Sequence, residues 1–210
     1  MKCEVKICGV TQLEDAVACV RSGADAIGIN FWPGTPRVCN ESTAQAIVDA
    51  VGDSALVIGV FVDATLEHIQ AIRQRTGLRW VQLHGREPAT LVQALLPEAY
   101  KALPVTDAAV IDEARAYPGE HVLLDTYVAG VPGGTGQTFN WEIAKVLAHE
   151  RKLTLAGGLT PTNVAQAIRT VRPFRVDVAS GVEQQPGKKD LDLVQALIQA
   201  VRGTDDDDTR

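Results

Sequence analysis

The chain has 210 residues, 46% of them hydrophobic and 22% charged, with a formal net charge of −6 at pH 7. This length suits one domain that buries a core without metal or disulfide support, and the composition excludes a disordered or fibrous chain. The charge excludes a general nucleic-acid binder, which would carry a basic face, and four of the negative charges are the run Asp205 to Asp208.

Taken in chain order, short apolar, β-branched runs alternate with segments of helical period. Glu4–Cys8 reads as a strand, followed by a helix over Gln12–Ser22, with Thr11 as N-cap and Gly23 as the stop. Strand Ala26–Phe31 precedes helix Ser42–Val51, and strand Leu56–Val62 precedes helix Leu66–Thr76. Strand Trp80–His84 leads to helix Pro88–Leu96, and the short strand Tyr100–Leu103 to helix Asp107–Ala116. Three further pairs follow: His121–Asp125 with Trp141–His149, Leu153–Ala156 with Pro161–Val171, and Arg175–Ala179 with Leu191–Val201. Eight strand-then-helix units predict a parallel sheet with helical crossovers, and that number favours closure into a (β/α)8 TIM barrel over an open sheet. The expected organisation is one α/β barrel domain over residues 1–202 and a disordered acidic tail over 203–210.

No apolar run reaches the length of a membrane span, and the N-terminus lacks the apolar stretch of a signal peptide, so a cytoplasmic protein without membrane partners is expected. Cys3, Cys8, Cys19 and Cys39 form no CxxC pair and the four histidines are scattered, so neither zinc nor a disulfide framework is expected.

In such a barrel, chemistry gathers where the strands end and the following loops begin. Those positions hold Lys6-Ile7-Cys8-Gly9, Phe31-Trp32-Pro33-Gly34-Thr35-Pro36-Arg37, Phe61-Val62-Asp63, Gln82-Leu83-His84-Gly85, Leu124-Asp125-Thr126, Ala156-Gly157-Gly158-Leu159 and Asp177-Val178-Ala179-Ser180-Gly181. Polar residues and glycines thus cluster at one end, as an enzyme requires. Gly157-Gly158 and Ser180-Gly181 serve either as tight turns or as a phosphate cradle, the latter helped by a short helix N-terminus after the last strand. Asp125 ends an apolar strand, either capping a turn or acting as a general acid whose pKa burial raises. Cys8 is either a small buried hydrophobe or, with Lys6 favouring its thiolate and tuning its pKa slightly down, a general base. Arg37, in a loop stiffened by Pro33 and Pro36, is either a surface group or a fork for a carboxylate or phosphate. Gly133-Gly134-Thr135-Gly136 reads as a flap or as a plain surface loop, and His84 as a hydrogen-bonded structural residue facing the same interior as Gln82.

The ordered set Lys6-Ile7-Cys8-Gly9, Val81-Gln82-Leu83-His84-Gly85, Leu123-Leu124-Asp125-Thr126, Gly133-Gly134-Thr135-Gly136 with Thr138-Phe139-Asn140-Trp141, Ala156-Gly157-Gly158-Leu159, and Val176-Asp177-Val178-Ala179-Ser180-Gly181-Val182-Glu183 with Pro186-Gly187-Lys188-Lys189-Asp190 resembles the phosphoribosylanthranilate isomerase family from Lys6 to about Leu193. The resemblance implies an Amadori rearrangement of N-(5-phosphoribosyl)anthranilate in tryptophan biosynthesis, with no cofactor and no metal. It assigns Asp125 as general acid and Cys8 as general base. It gives Arg37 to the anthranilate carboxylate, Asp177 to the sugar hydroxyls, and the loops holding Gly157, Gly158, Ala179, Ser180 and Gly181 to the phosphate. The partner it implies is a small phosphosugar substrate, with no nucleic acid, the chain acting as a monomer or homodimer. Asp63, Gln137 and Asn140, and the loop before Arg37, depart from the family's usual residues. Alternatives are another phosphosugar barrel enzyme of tryptophan or histidine biosynthesis, and a non-catalytic α/β binding domain, which would need no acid, base and anion sites at one mouth.

Overall fold

The computed structural model of the chain describes residues 2–126 and 140–207. Eight parallel strands close into a barrel in sequence order: β1 (Glu4–Cys8), β2 (Ala26–Asn30), β3 (Leu56–Phe61), β4 (Trp80–Leu83), β5 (Ala99–Val105), β6 (His121–Thr126), β7 (Lys152–Leu155) and β8 (Arg175–Val178), with β8 returning to pair with β1. Helices α1 (Leu13–Arg21), α2 (Glu41–Val51), α3 (Leu66–Thr76), α4 (Ala89–Leu95), α5 (Val110–Ala116), α6 (Trp141–Glu150), α7 (Val164–Val171) and α8 (Leu191–Asp207) follow the strands in turn. A hairpin, β9 (Glu183–Gln185) with β10 (Lys188–Lys189), lies between β8 and α8. The expected TIM barrel is therefore the fold.

Strand alternation divides the core into two shells. Outward-facing residues such as Val5, Ile7, Ile27, Ile29, Val81, Leu83, Leu153 and Val176 are buried against the helices. The helices answer with stripes of matching period, clearest in α7, where Val164, Ala167, Ile168 and Val171 are the buried positions. Each fully buried aliphatic side chain of this kind contributes about 1.5–3 kcal/mol. Inside the ring a smaller cluster of Ala26, Ile58, Tyr100, Ala102, Leu123 and Ala156 packs on its own. Alanine at three of those positions leaves room on the axis for longer polar side chains nearer the mouth.

Several elements differ from the reading of the sequence, each for a local reason. Thr11 does not cap α1: Gln12 stands at the N-cap without a side-chain bond, and the Thr11 hydroxyl donates to the Gly187 carbonyl at 2.7 Å. Helix α5 begins at Val110 because Asp107 folds back to accept the Ala109 N–H. Helix α7 begins at Val164 because Asn163 instead bonds Thr160 N and Gly158 O. The weakly marked fifth strand is longer than expected, running from Ala99 to Val105 and pairing with β6 as far as Thr126. The last helix extends to Asp207, so Gly203–Asp207 is helical where a disordered tail was expected. Arg202 pins it, donating to Cys3 O, Gly23 O and Asp25, and buried Thr204 donates back to Val201 O. Residues 208–210, and the Gly133–Gly136 flap with Gln137, lie outside the described residues.

At the opposite end of the barrel from the expected site, His121 lies edge-on to Trp80 and Phe174, with ring centroids 5.1 and 5.4 Å away. Burial, aided by the Arg175 and Lys152 cations, lowers its pKa to about 4. The unfolded chain, with histidine near 6.5, therefore takes up the proton first, so stability is complete above about pH 6.5 and declines as pH falls toward about 4. A His121→Phe variant should lose less Tm than the unsubstituted chain between about pH 7 and about pH 5 in scanning calorimetry. Equal losses in the two proteins contradict this origin of the slope.

Candidate active site

The C-terminal ends of the strands surround a pocket that, with its open mouth, holds about 790 Å³. Its walls contain the candidate acid, base and substrate-binding residues: Cys8, Arg37, Asp125, Gly157, Gly158, Asp177, Ala179, Ser180 and Gly181. Cys8 closes β1 and Asp125 lies near the end of β6, three strands away around the ring of eight, so thiol and carboxyl face each other across the mouth. Gly157 (φ +92°) and Gly158 (φ +62°) both occupy the left-handed region, which shapes the loop after β7. Ser180–Val182 forms one 3-10 turn after β8, the short helical turn expected there.

Beneath the pocket lies a polar floor on the barrel axis. Lys6 is fully buried, and its ammonium donates to Asp177 Oδ2 at 2.7 Å, Gln82 Oε1 at 2.8 Å and Cys8 Sγ at 3.3 Å. Burial pushes the Lys6 pKa down, but the Asp177 carboxylate and Cys8 outweigh it, and the net shift is upward, so the lysine stays charged. An ammonium only donates, so it fixes the orientation of the Gln82 amide, whose oxygen accepts from both Lys6 and the Tyr100 hydroxyl (2.9 Å). The amide nitrogen then faces His84 Nδ1 at 2.9 Å and must donate to it, which leaves the ring proton on Nε2, 3.4 Å from Asp125 Oδ2. Asp125 Oδ1 accepts the Thr126 N–H at 2.8 Å. One polar chain thus runs from the thiol to the carboxyl through Lys6, Gln82 and His84.

Sequence reading treated His84 as a structural residue and Lys6 as a neighbour of Cys8, and it left Gln82 and Tyr100 without a part. The in-phase positions Lys6/Cys8 and Gln82/His84 were the available signal; the pairing across strands was not readable from either. The expected lowering of the Cys8 pKa is corrected: burial pushes the thiol up, Asp177 adds to this, and the Lys6 and Lys189 cations only partly oppose it. The Asp177 carboxylate stands 2.7 Å from the Lys6 ammonium, and its opposite charge offsets the cation's pull on the thiol.

Arg37 reaches the pocket with its guanidinium already held by Glu183: Nε lies 2.9 and 3.1 Å from the two carboxylate oxygens and Nη2 lies 2.7 Å from Oε2. Among the described residues no helix is long and apolar enough to cross a membrane, and no three His, Cys, Asp or Glu side chains are grouped to hold a metal ion.

A closed parallel barrel with a thiol, a carboxyl, an arginine and two glycine-bearing loops around one mouth defines the class, an enzyme of the (β/α)8-barrel type. Residues 5–200 match the family model described as N-(5'phosphoribosyl)anthranilate (PRA) isomerase. The chain belongs to that family. It is 41% identical over 207 residues to the N-(5'-phosphoribosyl)anthranilate isomerase of Pelobacter propionicus, covering 99% of both chains. Its fold matches the crystal structure of phosphoribosyl anthranilate isomerase from Thermotoga maritima with a TM-score of 0.88 at 39% identity, covering 96% of this chain and 99% of that one. A further solved phosphoribosyl anthranilate isomerase, in complex with reduced 1-(o-carboxyphenylamino)-1-deoxyribulose 5-phosphate, matches with a TM-score of 0.84 at 38% identity, covering 96% of this chain and 99% of that one.

Gly28 on β2 gives the thiol its room, since a Cβ there would stand 2.6 Å from Cys8 Sγ and 3.0 Å from Lys6 Cε. Gly28→Ala should therefore lower kcat about tenfold or more by displacing the thiol, while the far-ultraviolet circular dichroism of the barrel is kept. Unchanged kcat in a folded Gly28→Ala variant contradicts the requirement for this close approach.

Proposed function

We propose that this chain catalyses the Amadori rearrangement of N-(5-phosphoribosyl)anthranilate to 1-(2-carboxyphenylamino)-1-deoxyribulose 5-phosphate, with Asp125 as general acid and Cys8 as general base. The observation that carries the reading is the facing of thiol and carboxyl across one pocket that also holds Arg37 and both glycine-bearing loops. Asp125 gives a proton to the furanose ring oxygen as the C1–O bond breaks, and the nitrogen lone pair forms the Schiff base. Cys8 then takes the proton from C2, and the enolamine becomes the aminoketose when C1 takes up a proton and the C2 hydroxyl gives one up, with Cys8 releasing and Asp125 regaining the proton each exchanged. Substrate and product are isomers, C2 being oxidised as C1 is reduced, so no redox partner enters the balance.

Arg37 takes the anthranilate carboxylate, the end of the substrate it suits as a planar cation. The wall made by Gly157, Gly158, Ala179, Ser180 and Gly181 takes the phosphate through backbone N–H groups. Asp177, held by Lys6, orients the sugar hydroxyls. Binding of a reduced carboxyphenylamino-deoxyribulose phosphate by the related isomerase supports a ligand with one anion at each end. All these groups come from one chain, so the chemistry is complete in a monomer or in each half of a homodimer. The four free thiols support a reducing, cytoplasmic compartment, and the one barrel domain carries the whole activity.

Turnover of freshly generated phosphoribosylanthranilate, followed by the loss of anthranilate-type fluorescence, tests the assignment. Cys8→Ser and Asp125→Asn should each lose at least about a hundredfold in kcat with the fold intact, the scale of a missing acid or base. An unsubstituted chain that folds and shows no turnover overturns the isomerase reading. In the active enzyme the limb of kcat/KM set by Cys8 should rise with pH on the alkaline side of an ordinary thiol, because burial raises its pKa. A limb on the acid side contradicts Cys8 as the base.

A further inference from the structure

The isomerase reading places a carboxylate of the substrate on Arg37 but leaves open what decides which face of the guanidinium the substrate meets. In the structure one edge is already taken. Glu183 accepts from Nε and Nη2 together, a fork-to-fork pairing that fixes the plane of the group. The edge presented to a ligand is then the Nη1–Nη2 end. Glu183 is itself anchored, because Oε1 also accepts from Lys189 Nζ at 2.8 Å and from Gly187 N at 3.2 Å. Lys189 is buried, and its ammonium donates to the carbonyl oxygen of Cys8 at 2.6 Å. Burial pushes the Glu183 pKa up, but the Arg37 and Lys189 donors outweigh it and hold the carboxyl below the usual glutamate range.

The rest of the hairpin tightens the same bracket. Gly187 between β9 and β10 receives the Thr11 hydroxyl on its carbonyl, tying the hairpin to the loop after β1. Gly9 (φ +72°) lets the Arg37 stem lie against the backbone next to Cys8, since a Cβ there would stand 2.6 Å from Arg37 Cδ. Arginine stem, hairpin carboxylate and the backbone carbonyl of the thiol residue are therefore one hydrogen-bonded unit.

Resting on the isomerase reading, we propose that Glu183 is a positioning residue for substrate recognition: it holds Arg37 by one edge, presents the other to the aromatic carboxylate, and through Lys189 keeps that edge in register with Cys8. Glu183 touches no substrate atom in this account, and its influence passes through Arg37. A binding contact made alike in ground and transition states acts on KM and leaves kcat in place.

Steady-state kinetics on phosphoribosylanthranilate test this with Glu183→Gln, Arg37→Ala and the double variant. Glu183→Gln should raise KM about tenfold or more with a smaller change in kcat, because the amide offers Arg37 one acceptor in place of two. The double variant should be no worse than Arg37→Ala, since the carboxylate has nothing left to orient. A normal KM for Glu183→Gln, or penalties that multiply in the double variant, overturns the proposal. If Glu183→Gln does not fold, Arg37→Lys decides it. A lysine drawn onto Glu183 has no second edge, so KM should rise as far as in Arg37→Ala, whereas a KM near normal shows that charge alone suffices and overturns the bracket. The unsubstituted chain in the same assay separates the two claims: an inert one sinks the isomerase reading, and an active one beside an unperturbed Glu183→Gln sinks the bracket alone.

Discussion

The arrangement of the site depends on one buried cation. Lys6 sits on the barrel axis with no exposure to solvent, and its partner Asp177 comes from 171 residues further along the chain. Only closure of the ring, with β8 returning to β1, brings them together. Removing either member of such a pair costs about 3–5 kcal/mol, because the other is left as an uncompensated charge in the interior. The pair is therefore retained as a unit, and its geometry propagates. A donor-only ammonium decides the orientation of Gln82, Gln82 decides the tautomer of His84, and His84 meets Asp125. Asp125 and Cys8 stand across the mouth from each other, but the polarity of the groups between them is set by a single side chain at their feet.

The mouth is built on this floor by close approaches that larger residues forbid. Gly28 leaves space for the thiol and the lysine stem, and Gly9 for the stem of Arg37. Arg37 and the loop after β7 are held by partners outside the barrel ring: Arg37 by the β9–β10 hairpin, and the loop by Asn163 folding back on Gly158 O. The closed ring thus carries loops that are themselves tied down, which holds the side chains of the pocket in one geometry.

Much of this was legible in the chain because the two periods are distinct. Alternation puts Lys6 in phase with Cys8, and Leu123 with Asp125, and the interior cluster contains Leu123. Strand ends marked the pocket wall, since glycine and polar residues cluster where the strands give way to the following loops. What stayed hidden were pairings between distant segments. Arg37 and Glu183 are 146 residues apart, and nothing in either loop announces the other. The same blindness reversed the reading of Cys8. Lys6 two residues away suggested a lowered thiol pKa, but burial raises it and the Asp177 carboxylate adds to this, together outweighing the cation. The helical run to Asp207 was missed because Gly203 and four acidic residues oppose a helix end locally, while the contacts of Arg202 that hold it are tertiary.

The central claim, that the Lys6–Asp177 pair governs the thiol, is tested most directly by the pH dependence of Cys8 alkylation in the free protein, resolved by peptide mass spectrometry, with Asp177→Asn beside the unsubstituted chain. Burial pushes the thiol pKa up, and the Asp177 carboxylate adds to this against the Lys6 cation. Neutralising Asp177 should therefore move the alkylation profile of Cys8 to lower pH. A profile that stays in place, or moves to higher pH, contradicts the account.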